Sequence, residues 1–133
     1  MSVRTAFVLA ISLLACSGCG KKKTTDELIA DLHSSEERER LIAVRLLPER
    51  KGEAEKVVPA LIEALKSKEE DIRVSAAIGL GTFGEKARDA IPTLQAAQRD
   101  RDARVREAAD VALSRIDPER FPFKPKARPA RGK

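Results

Sequence analysis

VPALIEALKSKEEDIRVSAAIGLGTF, residues 58–83, returns 33 positions later as IPTLQAAQRDRDARVREAADVALSRI, residues 91–116. A weaker copy, TDELIADLHSSEERERLIAVRLLPER, occupies residues 25–50. Four columns of identical residues hold the register: Leu28, Leu61 and Leu94; Leu47, Leu80 and Leu113; Ala43, Ala76 and Ala109; Arg40, Arg73 and Arg106. A period of this length is typical of helical repeats that stack into an array. We therefore predict three repeats, 24–50, 51–84 and 85–116.

Each repeat contains two apolar patterns with helical spacing. In the second repeat, Val58, Leu61 and Leu65 mark one helix, and Ile72 and Leu80 belong to the next. Spacings of three, four and seven residues place apolar side chains on one face of a helix. No alternating run of β-branched residues bounded by turns is present. The predicted fold is all-α: a short α-solenoid of three helix pairs.

Polar residues at a common register position predict the starts of the second helices. These helix-cap residues are Ser34, Ser67 and Asp100. Each serine precedes a glutamate, Glu37 or Glu70, by three residues, which is the spacing of a capping box. In the third repeat, Asp100 or Asp102 is expected to cap without a reciprocal glutamate. Gly84 is expected to end the second helix of the second repeat in a left-handed conformation.

The repeats resemble the short HEAT-like class that was first noted in phycobiliprotein lyases. Two stretches carry the resemblance, Ile72-Arg73-x-x-Ala76-Ala77-x-x-Leu80-Gly81 and Val105-Arg106-x-x-Ala109-x-x-x-Leu113. In that family such an arginine pairs with a turn aspartate, and the pairs form an internal ladder. The resemblance thus implies that Arg40, Arg73 and Arg106 form a ladder, with Asp71 or Asp102 as partners. The alternative is a strip that binds carboxylates or other anions, since guanidinium groups bind carboxylates in a bidentate manner.

The N-terminal residues predict export and a lipid anchor. Residues 1–15 place Arg4 before the apolar run 6–15, which has the length of a secretory signal and is too short to span a bilayer. Leu13-Leu14-Ala15-Cys16 resembles the bacterial lipobox, in which the cysteine is lipidated and becomes the first mature residue. Cys16 is therefore the predicted lipidation site, and Cys19 is the less favoured alternative. Residues 16–23, with three lysines, would form a basic tether next to the lipid.

The sequence shows no pattern of a catalytic, cofactor or metal site. Cys16 and Cys19 have the spacing of a redox or haem motif, but Gly20 stands where haem attachment needs a histidine. His33 is the single histidine, too few for a metal site of about four ligands. No serine or cysteine has a histidine and an acid at a plausible spacing. The expectation is a protein with no enzymatic role.

The net charge of +5 is carried by the ends of the chain. Residues 24–116 contain 16 basic and 19 acidic residues, so the predicted array is mildly acidic and argues against nucleic-acid binding. Residues 117–133 are basic and rich in proline, which predicts a disordered tail. Phe121 and Phe123 are expected to fold back over the end of the last helix.

Three functional hypotheses remain. The first is a lipid-anchored scaffold in the bacterial cell envelope that binds a protein or peptide. Ser17, rather than aspartate, after Cys16 favours the periplasmic face of the outer membrane over the inner membrane. The second is a binder of an envelope polymer or anionic surface through the tail 117–133. The third, less favoured, is an enzyme or enzyme subunit, as the lyase resemblance implies.

Overall fold

The computed structural model describes residues 22–124, and within them the chain forms six α-helices and no strand. The helices are α1 (Thr25–Asp31), α2 (Glu37–Leu46), α3 (Ala54–Ala64), α4 (Glu70–Thr82), α5 (Ile91–Ala97) and α6 (Ala103–Ile116). Short 3₁₀ segments, Leu47–Glu49, Lys51–Glu53 and Gly84–Ala90, join one pair to the next. The expected all-α array of three helix pairs is confirmed.

The in-register apolar columns form the core. The leucines at 28, 61 and 94, those at 47, 80 and 113, and the alanines at 43, 76 and 109 are completely buried. Each repeat thus contributes the same side chains to one continuous interior. This is how a stacked array buries apolar surface that a single helix pair would leave exposed.

Small residues set the distance between the second helices of neighbouring repeats. A Cβ placed on Gly79 of α4 would lie 2.7 Å from the Pro48 Cγ of the preceding repeat. A Cβ placed on Gly81 would lie 3.1 Å from the Ala112 Cα in α6. The helices α2, α4 and α6 therefore pack side by side at a spacing that these glycines permit.

The expected capping boxes at Ser34 and Ser67 are wrong by two residues. The N-caps of α2 and α4 are Glu36 and Glu69, and neither side chain caps its helix. Instead, each serine hydroxyl accepts the amide of that N-cap residue, at 3.1 Å for Ser34 and 3.2 Å for Ser67. The serines thus form turns that precede the helices, a known use of hydroxyl side chains.

Asp100 occupies the same turn position in the third repeat, and its carboxylate accepts the Asp102 amide at 2.9 Å. The N-cap of α6 is Asp102, which accepts the amides of Arg104 and Val105. Asp102 is therefore the cap of α6, as the alternative expectation had it, and Asp100 is not. A reciprocal capping box does exist, but it begins α1 and joins Thr24 to Glu27.

The predicted end of α4 is confirmed. Gly84 has a φ of 54° directly after Phe83, the C-cap of α4, as expected. Pro59 lies inside α3, whereas Pro92 lies in the first turn of α5, where a missing amide costs little.

Only the first part of the tail is described. The Phe121 ring packs against the core, as expected, with the Arg120 guanidinium carbon 5.3 Å from the ring centroid. Phe123, in contrast, is 56% exposed and does not cover the helix end. The signal segment, both cysteines and residues 125–133 lie outside the described residues. No helix within 22–124 is long and apolar enough to cross a membrane.

Candidate protein-binding groove

The arginine at the centre of the array joins the second repeat to the third. The Arg73 Nε and Nη2 donate to the two carboxylate oxygens of Asp100 at 2.8 and 3.0 Å. Its Nη1 donates to the Ser67 and Lys68 carbonyls, both at 2.9 Å. The Arg73 side chain is 7% exposed and that of Asp100 15%, so water screens this pair weakly. The guanidinium holds the pKa of Asp100 below its usual value.

Arg40 makes the corresponding contacts between the first and second repeats. Its Nε and Nη2 donate to the Glu69 carboxylate, and its Nη1 donates to the Ser34 and Ser35 carbonyls at 2.6 and 2.8 Å. The Arg40 guanidinium, and secondarily the Ser67 hydroxyl, lower the pKa of Glu69. The two arginine–acid pairs use acids at different positions of the repeat, Glu69 in one and Asp100 in the other.

Arg106 makes only the carbonyl contacts of the other two arginines. Its Nη1 donates to the Asp100 and Arg101 carbonyls at 2.8 and 3.0 Å, but no acid among residues 22–124 pairs with it. In Arg40 and Arg73, by contrast, carbonyls and a carboxylate occupy four of the five N–H groups. These two arginines have little capacity left for an external anion.

The expected ladder partners, Asp71 and Asp102, are wrong. Asp71 accepts Arg104 Nη1 at 2.9 Å on the exposed surface, and Asp102 caps α6. Both lie near the start of a second helix, but neither carboxylate faces a ladder arginine. The acids that do, Glu69 and Asp100, precede their helices by one and three residues.

A groove with an apolar floor runs across the second helices, away from the ladder. Its floor is built from α4 and α6, where Val74, Ile78, Ala108 and Val111 line a cavity of about 350 Å³. A second cavity of about 420 Å³ continues between α2 and α4 and shares Val74 and Ile78 with the first. Ile78, at the junction of the two cavities, is 52% exposed. We call this surface the second-helix groove.

Arginines lie along the rim of the groove. Arg45 stands at its α2 end and Arg115 at its α6 end, both exposed and without an ion pair among residues 22–124. Between them Arg104 donates to Asp71 and to Glu70, at 2.9 and 3.2 Å. The exposed Glu107 also lines the α6 end, so that end carries both signs of charge, whereas the α2 end carries Arg45. An apolar floor with these charges suits an amphipathic segment that has an acidic residue at the end facing Arg45.

The repeat period does not reveal this groove. Ile78 and Val111 stand in register with Arg45 of the first repeat, so the column is not uniformly apolar. A usable signal was present in α4, which has apolar residues at 72, 74, 76, 77, 78 and 80. These cover more than one face of the helix, whereas burial in the core requires only one.

Comparisons with known proteins agree with this architecture. A family model described as HEAT repeats matches residues 25–114. A comparison with curated proteins gives no significant match. Among solved structures, the chain is similar to the complex of CpcE and CpcF of phycocyanin lyase from Nostoc sp. PCC7120, with a TM-score of 0.66 and 31% identity. The match covers 75% of this chain but 40% of the other.

This match corrects one expectation. The absence of catalytic motifs predicted a protein with no enzymatic role, and the similarity to a lyase complex overturns that prediction. The similarity is to a protein of a lyase complex, over 40% of the length of the matched chain. A protein that acts within an enzyme complex need not contain the motifs of a single-chain active site.

Proposed function

Because the chain belongs to the HEAT-repeat family, we propose that it is a lyase-related helical-repeat subunit that binds a partner protein in the second-helix groove. The observation that carries the proposal is Ile78, which stays 52% exposed at the centre of an apolar floor. A partner that covers this side chain removes apolar surface from water, which stabilises the complex.

The size and charge of the groove indicate the partner's form. Three side-by-side helices at about 10 Å separation give a groove about 20 Å long, which a helix of about 13 residues spans. The apolar floor suits a helix with one apolar face. Arg45 favours an acidic residue near one end of that helix, and Arg115 with Glu107 favours a charged residue of either sign near the other.

The similarity to a lyase supports an enzyme-associated role. The similar structure is a complex of two proteins of phycocyanin lyase. The match covers 40% of the other chain, so the similarity concerns a part of that protein. We propose that the module brings a partner to an enzyme or forms part of one, with the groove as the contact surface.

Location is a second part of the proposal. The lipobox-like stretch ending at Cys16 supports a lipid anchor in the cell envelope, with the outer membrane favoured. Residues 16–23 would then tether the array to the leaflet. The mass of the mature protein from its native host tests this directly, because cleavage before Cys16 and acylation both change it. An unmodified chain beginning at Met1 would refute the anchor.

A matched pair of variants tests the groove. Tagged wild-type protein, Ile78→Asp and Phe123→Asp are expressed in the native host and purified under the same conditions. Both side chains are exposed, at 52% and 56%, but Phe123 lies outside the groove. We expect partners recovered with wild type and with Phe123→Asp to be lost with Ile78→Asp. Partners that persist with Ile78→Asp would refute the groove as the binding surface.

A further inference from the structure

The first repeat exposes a pair of large apolar side chains where the later repeats have four small residues, three of them buried. Ile42 and Leu46 of α2 are 44% and 37% exposed. The residues in register with them are Ser75 and Gly79 in α4 and Ala108 and Ala112 in α6. Those four small residues face the preceding repeat, as the approach of Gly79 to Pro48 and of Ala112 to Gly81 shows. In α2 the same face points away from the rest of the array.

The opposite end of the array is polar. Asp110 and Ser114 of α6 stand in register with Ala77 and Gly81, which are both buried, and Gly81 packs against Ala112 of the following repeat. Asp110 accepts the Gln98 amide of α5 at 2.8 Å, so the last helix pair is closed by a polar contact. Terminal repeats normally carry such a polar outer face. The N-terminal end, defined by Ile42 and Leu46 and called here the α2 end face, departs from that rule.

Charged residues of both signs surround the α2 end face: the acids are Glu39 and Glu49, each three residues from one of the two apolar side chains. Arg38 precedes Ile42 by one helical turn and Arg45 precedes Leu46 by one residue; both are exposed and have no ion pair among residues 22–124. The chain also enters the fold nearby, because Arg50 Nη2 donates to the Lys23 carbonyl at 2.6 Å. Lys22, just before it, is exposed. Exposed apolar side chains insert at a lipid surface, and nearby arginines and lysines add attraction to anionic head groups.

We propose that the α2 end face lies on the anionic lipid leaflet to which the protein is anchored. This inference rests on the proposed lipid anchor at Cys16. Lys22 follows Cys16 by six positions, and even a fully extended segment of that length reaches only about 20 Å. The anchor therefore holds the end of α2 close to the leaflet. Ile42 and Leu46 insert among the lipid chains near the surface, and the neighbouring arginines contact the head groups.

A second copy of the chain fits this surface less well. Two aliphatic side chains provide much less than the roughly 800 Å² per partner that a stable protein interface buries. Head-to-tail stacking would place Ile42 and Leu46 against the polar Asp110 and Ser114. The leaflet, by contrast, needs no shape complementarity and is already within reach.

The test uses the acylated protein from its host, reconstituted in vesicles of phosphatidylethanolamine with a minor fraction of phosphatidylglycerol. Cys19→Ser leaves a single free thiol when Leu46→Cys or, as control, Ile78→Cys is added and labelled with a polarity-sensitive dye. We expect the dye at position 46 to shift to the blue, and brominated lipids to quench it several-fold more than at position 78. Adding Ile42→Asp to the Leu46→Cys protein should reduce quenching to the level of the control.

Three results would overturn the proposal: equal quenching at both positions, quenching that Ile42→Asp does not change, or a concentration-dependent dimer that shields position 46 without vesicles. Mass spectrometry of the same samples reports acylation of Cys16 separately. Failure of the anchor and failure of the α2 end face are therefore distinguishable.

Discussion

Arg73 of the second repeat and Asp100 of the third form a bidentate pair, with N–O distances of 2.8 and 3.0 Å, in the seam between two helix pairs. The same guanidinium also binds two carbonyls of the turn before its own helix. One side chain thus fixes the turn of its repeat and the position of the next repeat. The pair joins elements 27 residues apart in sequence, which makes it a contact between repeats rather than within a helix.

Replacing Arg73 with lysine should destabilise the array more than the same change at Arg106. Lysine keeps the charge but cannot bind a carboxylate and two carbonyls together. We expect Arg73→Lys to lower the free energy of unfolding by about 2–3 kcal/mol, since it leaves a largely buried carboxylate poorly paired. Arg106→Lys should cost about 1 kcal/mol, because Arg106 binds only two carbonyls among the described residues. Urea unfolding measures both, and equal losses would contradict the ladder as the cause.

The Asp100 pair should make stability depend on pH in the acid range. Arg73 lowers the pKa of Asp100 in the folded state, so the ionised form stabilises the fold. That contribution is complete above the unfolded-state pKa of about 4 and is lost as the pH falls through the lower, folded-state pKa. Asp100→Asn should therefore be less stable than wild type at pH 7, and the difference should shrink below pH ~4. A difference that stayed constant down to pH ~2 would exclude this linkage.

Gly79→Ala should be destabilising even though alanine is the better helix former. Alanine gains about 1 kcal/mol in helix propensity. Its Cβ, however, would lie 2.7 Å from Pro48 Cγ and 3.2 Å from Leu61 Cδ1, so the helices must separate. Overpacking of this kind costs about 1–3 kcal/mol, and we expect a net loss.

Gly52→Ala is the matched control for this variant, because nothing lies within 4 Å of the added Cβ and Gly52 has no positive φ. Thermal unfolding should show a lower Tm for Gly79→Ala and an unchanged or higher Tm for Gly52→Ala. A rise in both would mean that the helix spacing is not fixed by Gly79.

The repeat period allowed the fold to be predicted, because Leu28, Leu61 and Leu94 recur in one register and share one environment. The ladder acids could not be read in the same way. Arg40 takes Glu69 and Arg73 takes Asp100, so the partner shifts by two register positions between seams. The predicted capping boxes were wrong although Ser34 and Ser67 precede glutamates by three residues. Their hydroxyls accept amides within the turn before the helix instead. Spacing along the sequence shows which groups could form contacts. The packing of neighbouring repeats determines which of those contacts form.

The groove residue Ile78 and its neighbour Leu80 should respond differently to truncation. Both are large aliphatic residues of α4, but Ile78 is 52% exposed and Leu80 is completely buried. Leu80→Ala removes a core side chain and should lower the free energy of unfolding by about 2–5 kcal/mol. Ile78→Ala removes mainly solvent-exposed surface, and alanine favours the helix, so the change should stay within about 0.5 kcal/mol. Urea unfolding of the purified variants, alongside Ile42→Ala as a second exposed position, measures these losses. If Ile78→Ala cost as much as Leu80→Ala, the isoleucine would be a core residue, and its exposure could not support a role in binding a partner.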